Sequence, residues 1–145
     1  MKGLGRLLLI TSCALSAACG SEALEVSVGL NVRVSGLTQS EVTRLEGFVF
    51  DPRLSSGSIL PCFSLLDGSV DPRGSDVVTL SSSVINVNQG VSVSLNFAEV
   101  DSGEDRVILV ESFGLTPQVN GRGCAEGITV DGGGTTRVGL VVQGL

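Results

Sequence analysis

The sequence predicts an all-β protein, an antiparallel two-sheet β-sandwich of about seven or eight strands that follows an N-terminal signal segment. Three stretches alternate strictly between apolar and polar residues, which is the period of a strand with one buried face. Clusters of Gly, Asp and Ser separate these stretches about every ten residues, as turns do in all-β domains. The 20 Gly residues and the scarcity of helix signals agree with this class.

The strongest strand predictions come from three stretches whose apolar residues are two positions apart. The first begins at Val26 and the others lie near 91–98 and 136–142. Their apolar faces consist of Val28, Leu30, Val32 and Val34, then Val91, Val93, Leu95 and Phe97, and finally Val138, Leu140 and Val142. Less regular strands are predicted at 43–50, 58–65, 77–87, 106–112 and 124–130. Pro61 suggests an edge position for 58–65, because proline cannot donate a ladder hydrogen bond.

A single helical turn is the only helix that the sequence indicates. Thr38-Gln39-Ser40-Glu41 has the letters of a capping box ahead of the strand that contains Phe48. The strand pattern favours an immunoglobulin-like or transthyretin-like sandwich. A small barrel is the alternative, because a period of two does not reveal how a sheet closes.

The first 18 residues have the parts of an export signal. Lys2 and Arg6 provide a basic start, and 7–18 is an apolar run that ends in small residues. Its 12 residues fall short of the roughly 20 that a transmembrane helix needs. We therefore expect a removed signal peptide at 1–18, a short tether at 19–24 and a β-sandwich domain at 25–145. A plain secretory signal with an incidental cysteine is the alternative.

The run Leu15-Ser16-Ala17-Ala18-Cys19 resembles the lipobox of bacterial lipoproteins. This resemblance covers residues 1–19 and implies that signal peptidase II cleaves before Cys19, which carries the lipid and the acylated amine. The Asp that retains enteric lipoproteins in the inner membrane is missing after Cys19, which implies the outer membrane in a Gram-negative cell. Ile10-Thr11-Ser12-Cys13 is a second candidate box behind a shorter apolar run. The stretch 91–143 is similar to the closing strands of small sandwich domains in bacterial surface lipoproteins.

Four cysteines are consistent with this interpretation. Cys13 falls in the signal and Cys19 accepts the lipid, which leaves Cys62 and Cys124. An exported compartment is oxidising, so the simplest prediction is a disulfide between these two. A free redox pair is the alternative, although the spacing is unlike Cys-x-x-Cys.

The charge of the chain excludes several functions. Of nine basic residues, Lys2 and Arg6 fall in the signal, so seven Arg face 15 acidic residues and the mature part has a formal charge of −8. Such a surface repels nucleic acid. No His is present and no Lys follows the signal, which removes the usual bases of nucleophilic catalysis. We therefore expect neither an enzyme nor a cofactor.

Two functional hypotheses follow. The first is a structural or protein-interaction module that is anchored to the membrane by its lipid and binds an envelope protein. The second is a small-ligand or Ca²⁺-binding lipoprotein that uses an acidic loop, because Ca²⁺ takes six to eight oxygen ligands. The candidate ligands are Glu99, Asp101, Glu104 and Asp105, although an acidic loop is also typical of a solvated turn. The tripeptide Asp-Pro-Arg occurs at 51–53 and again at 71–73, where proline turns with a local ion pair are expected.

Overall fold

A computed structural model describes residues 27–35, 41–87 and 93–145, with only the backbone described for 27–35. The signal, Cys19 and the tether lie outside these residues, as does the capping-box segment up to Ser40. Within the described residues the chain forms seven strands and one short helix. These are β1 (Ser27–Ser35), β2 (Arg44–Phe50), α1 (Cys62–Leu66), β3 (Thr79–Asn86), β4 (Val93–Ala98), β5 (Gly103–Phe113), β6 (Val119–Val130) and β7 (Thr135–Gly144).

The strands follow the order β3-β2-β5-β6-β7-β1-β4. The ladder is narrow between β6 and β7, where the pairs are Gly121 with Gly144 and Arg122 with Gln143. At this corner the sheet folds over, so that β2 and β5 pack against β4 and β7. Two packed layers result, and the predicted all-β sandwich is confirmed. The outer strands β3 and β4 also meet, where the Ser81 hydroxyl donates a hydrogen bond to the Ala98 carbonyl at 3.1 Å.

The main core lies between the two layers. Leu45 and Val49 of β2 enter it from one side, and Leu95 and Phe97 of β4 enter it from the other. Gly47 lies between Leu45 and Val49, and a Cβ atom there would be 2.6 Å from the Phe97 ring. The alternation that predicted β4 therefore marks its buried face.

A second apolar cluster lies on the outer face of β2 and β5. Phe48 and Phe50 of β2 contact Val107 and Leu109 of β5 in this cluster, under the connection formed by residues 51–78. We call 51–78 the cover segment. Because β5 is covered on both faces, every residue from 106 to 113 is buried and the strand shows no alternation.

Two details of the sequence prediction were wrong. The segment 58–65 is not a strand: it makes one isolated bridge, between Arg53 and Ile59, and then forms α1 immediately after Pro61. The segment crosses the outer face of strands that are already paired on both sides, so no sheet edge is open to it. Proline at a helix start is tolerated because its missing N–H would have no intrahelical partner there. The sheet is also not entirely antiparallel, because β1 and β7 run parallel over nine residue pairs.

Candidate functional site

Covalent and polar bonds attach the cover segment to β6. A disulfide joins Cys62, the first residue of α1, to Cys124, with Cα atoms 5.6 Å apart. The Cys62 amide also donates a hydrogen bond to a carboxylate oxygen of Glu126, at 2.7 Å. The start of α1 is thus fixed to one strand at two neighbouring points.

Apolar burial holds the underside of the cover segment. Leu60 and Leu65 are 1% and 0% exposed, and both pack into the outer cluster. Beneath them the rings of Phe48 and Phe50 are stacked, with centroids 5.7 Å apart. Burial of each such leucine contributes about 1.5–3 kcal/mol, so the segment is a firmly packed part of the domain.

A chain of ion pairs closes the far side of this packing. Glu46 and Glu111 are directly opposite on β2 and β5, and like charges in this arrangement repel. Arg73 of the cover segment lies between them, with its two terminal nitrogens 2.8 Å from an oxygen of Glu46 and of Glu111. Arg122 of β6 contacts the other oxygen of Glu111, at 3.0 Å. The fully buried Glu111 carboxylate is therefore flanked by two cations.

The electrostatics of Arg73 follow from this placement. Partial burial disfavours its charged form, but the interactions with Glu111 and Glu46 outweigh that cost and raise the pKa of Arg73. The guanidinium also lies 5.0 Å from the centre of the Phe48 ring. Arg73 consequently stays charged and joins the cover segment to both strands.

The upper side of the cover segment exposes apolar side chains. Ile59 is 72% exposed and Phe63 67%, and Leu66 is 38% exposed. Phe63 and Leu66 are three residues apart and share one face of α1, while Ser64 and Leu65 point inward. We call Ile59, Phe63 and Leu66 the α1 surface.

A cleft of about 350 Å³ lies next to the α1 surface. Its apolar lining comes from Pro52, Ile59, Leu60, Pro61 and Val107. Its charged lining comes from Arg53, Asp105 and Glu126. Together the cleft and the α1 surface form a mainly apolar site on a segment fixed by a disulfide and ion pairs, which suits recognition of another molecule.

Within the acidic loop, a side chain of the chain itself occupies part of the space between the turns. Arg106 folds back into it, and one terminal nitrogen donates hydrogen bonds to the carbonyls of Asp101 and Ser102, at 3.3 and 3.0 Å. The other terminal nitrogen contacts Asp51 at 2.9 Å. Arg106 therefore binds two backbone carbonyls of the loop and the carboxylate of Asp51, and not the side chains of the four candidate ligands.

The four predicted ligands do not come together around a cation position. Among residues 41–87 and 93–145, no group of three or more acidic, cysteine or histidine side chains is placed to hold a metal. Glu99, Asp101, Glu104 and Asp105 are all exposed along the turn. An arginine directly after the acidic run was the sequence signal that could have indicated this arrangement.

The predicted disulfide partners are together, whereas the predicted lipid acceptor Cys19 lies outside the described residues. The residues of the α1 surface were not identified from sequence. Ile59 and Phe63 fell within a predicted strand, where apolar residues are expected to be buried. An apolar run interrupted by Pro61 was the available signal, and it did not distinguish a buried strand from a surface helix.

The fold and this site define a small, disulfide-linked β-sandwich domain with an exposed apolar surface. Within the described part of the chain, no helix has the length and apolar character needed to cross a membrane. No protein-family model matches the sequence, and no curated protein matches it.

Solved structures show a similar fold. An alternative pilotin from the type II secretion system of Vibrio cholerae superimposes with a TM-score of 0.52 at 10% identity, over 83% of this chain and 96% of that chain. This likeness shows a shared fold. The pilus-presented adhesin Spy0125 (Cpa) matches with a TM-score of 0.32 at 14% identity, over 84% of this chain and 27% of that chain. At that score the second likeness carries no argument.

Proposed function

We propose that this protein is a lipid-anchored lipoprotein of the bacterial cell envelope that acts as a non-enzymatic structural or protein-interaction module. The observation that carries this proposal is the α1 surface, where Ile59 and Phe63 stay largely exposed on a segment held by a disulfide and ion pairs. Exposed apolar groups that lie together on a protein surface are typical of interaction sites. The fold shared with a pilotin from a secretion system supports a role of this kind.

The proposed division of the chain is a removed signal at 1–18, a tether at 19–24 and the domain at 25–145. Acylation of Cys19 would supply two or three chains, enough for stable attachment to the outer membrane. From Cys19 to Ser27 the chain advances eight residues, a reach of at most about 28 Å when extended. The domain would therefore stay close to the membrane surface.

The strand pairing indicates which end of the sandwich is near the tether. Ser27 pairs with Ala98 of β4 and with Thr135 of β7. The acidic loop after β4 and the glycine turn before β7 therefore lie at the tethered end. The cover segment, which carries the α1 surface, lies on the outer face of β2 and β5. The α1 surface therefore faces outward from the side of the sandwich, where a partner in the envelope could reach it.

The anchor is tested by membrane fractionation. Cys19→Ala should move the protein from the detergent phase to the soluble exported fraction, because the lipid attachment point is lost. Cys13→Ala is the matched control and should stay anchored, since Cys13 falls in the removed segment. Unchanged detergent partitioning of Cys19→Ala would refute the anchor, and release by Cys13→Ala alone would assign the lipid to the other box.

The interaction surface is tested by photo-crosslinking in living cells. A photo-reactive residue at Phe63 should yield a discrete crosslinked protein. The same residue at Leu115 should not, because Leu115 is 95% exposed in the turn between β5 and β6, at the end of the sandwich opposite the tether. Crosslinking from position 59 should also disappear when Phe63→Ser is introduced. Identical products from positions 63 and 115 would contradict the proposal.

A further inference from the structure

We infer that the cleft beside Ile59 binds a short apolar segment of a partner protein that carries a Lys or Arg next to its apolar residues. This inference rests on the proposed interaction function and specifies the chemistry of the partner.

The apolar lining determines the kind of group that enters. Leu60 is buried and Ile59 is largely exposed, and Pro52 and Val107 also line the cleft. A volume of about 350 Å³ is near the lower limit of pockets that enclose a small ligand, about 300–1,000 Å³. The cleft thus suits a few apolar side chains.

The charged lining determines what accompanies those side chains. Asp105 and Glu126 bring two carboxylates to the cleft, against one guanidinium from Arg53. Among the described residues, the ion pairs of the domain involve other carboxylates, those of Glu46, Asp51 and Glu111. Arg106, next to Asp105 in sequence, is paired with Asp51. The lining therefore has an excess of negative charge that a basic residue of the partner would complement.

The overall charge argues for a different protein as the occupant. The mature part has a formal charge of −8 and seven Arg, so a second copy would be repelled on approach. A nucleic acid would be repelled for the same reason. A peptide segment with apolar and basic residues complements both the apolar lining of the cleft and its negative charge.

Selection from a phage-displayed library of random peptides, on the purified full chain in detergent, tests this inference. Enriched peptides should place Leu, Ile or Phe within a few positions of Lys or Arg. Their affinity should fall about five- to tenfold in the double variant Asp105→Asn/Glu126→Gln, and also at high salt. Asn tolerates the φ of +58° at position 105, and Gln keeps an oxygen for the Cys62 amide.

Glu104→Gln is the matched control. It removes a neighbouring exposed carboxylate that is not part of the cleft lining, so peptide affinity should not change. The inference is overturned if enriched peptides lack basic residues, if no peptide is enriched, or if the double variant binds as well as the unaltered protein. Self-association of the chain through this cleft would overturn it as well.

The same variants separate this inference from the proposed function. If the Phe63 crosslink persists at full yield in the double variant, the interaction function stands and the basic partner segment is wrong. If Phe63 gives no crosslink in the unaltered protein, the interaction function itself fails.

Discussion

Glu46 and Glu111 are directly opposite on neighbouring strands, and the single guanidinium of Arg73 lies 2.8 Å from an oxygen of each. Two carboxylates in this position would repel, the more so because Glu111 is completely buried. Arg73 reaches them from the cover segment. Docking of that segment therefore contributes to the stability of the β2–β5 pair.

Loss of Arg73 should destabilise the domain. In Arg73→Ala, Glu111 retains Arg122 but its second oxygen is left buried beside Glu46. We expect the free energy of unfolding to fall by about 2 kcal/mol, less than for a fully buried pair because Arg73 is 42% exposed. Urea denaturation measures this change.

Arg53→Ala is the control for Arg73→Ala, because both arginines follow Asp-Pro and both donate their amide to that Asp, at 3.0 and 2.9 Å. Arg53 is exposed and has no ion pair among the described residues. Arg53→Ala should therefore lower the free energy of unfolding by less than about 0.5 kcal/mol. Equal losses for the two variants would show that the ion pairs of Arg73 do not stabilise the fold.

The disulfide should account for much of the stability of the domain. Cys62 and Cys124 are 62 residues apart, and on a chain-entropy model the bridge contributes about 4 kcal/mol. In the double variant Cys62→Ala/Cys124→Ala, the free energy of unfolding measured by urea denaturation should be lower by about this amount. Reduction of the unaltered protein should reproduce the loss, whereas the double variant should not respond to reductant. Equal free-thiol counts before and after reduction would contradict the bridge.

Gly47 should tolerate no side chain. Its Cβ in Gly47→Ala would lie 2.6 Å from the Phe97 ring and 3.2 Å from Leu95, inside the main core. Overpacking of this kind costs about 1–3 kcal/mol, and the melting temperature should fall accordingly. Gly139→Ala is the control on β7, where a Cβ meets no heavy atom within 4 Å among the described side chains and backbone beyond its chain neighbours, and it should be neutral or slightly stabilising. A neutral Gly47→Ala would mean that the two layers are not in contact at this point.

Arg106 should be the cation that organises the acidic loop. Arg106→Gln removes the ion pair with Asp51 and the hydrogen bonds to two carbonyls. We expect the free energy of unfolding to fall by about 2 kcal/mol. Arg137→Gln on β7 is exposed and should change stability by less than about 0.5 kcal/mol. Millimolar Ca²⁺ should leave the melting temperature of the unaltered protein unchanged. A calcium-dependent rise would show that the metal competes successfully for the oxygens of this loop.

Strands with one buried face were predictable, as β4 and β7 illustrate. Leu95 and Phe97 alternate with exposed Ser94 and Asn96, because a period of two in sequence corresponds to two sides of a sheet. Residues 106–112 were also predicted as a strand, although β5 shows no alternation in burial. The stretch 58–65 has similar apolar content, but in the structure it lies in the cover segment and forms an isolated bridge and most of the short helix α1. Local sequence did not distinguish these two outcomes.

The sequence by itself determined the all-β class, the positions of the alternating strands and the two cysteines available to pair after the proposed signal. These are properties of local period and composition. Only the tertiary structure decided that the two Asp-Pro-Arg turns differ in role, that Arg106 occupies the acidic loop and that Phe63 is exposed. Each of these depends on which residues distant in sequence meet across the sheet, and β-sheet pairing is determined by packing between strands rather than by the residues of one strand.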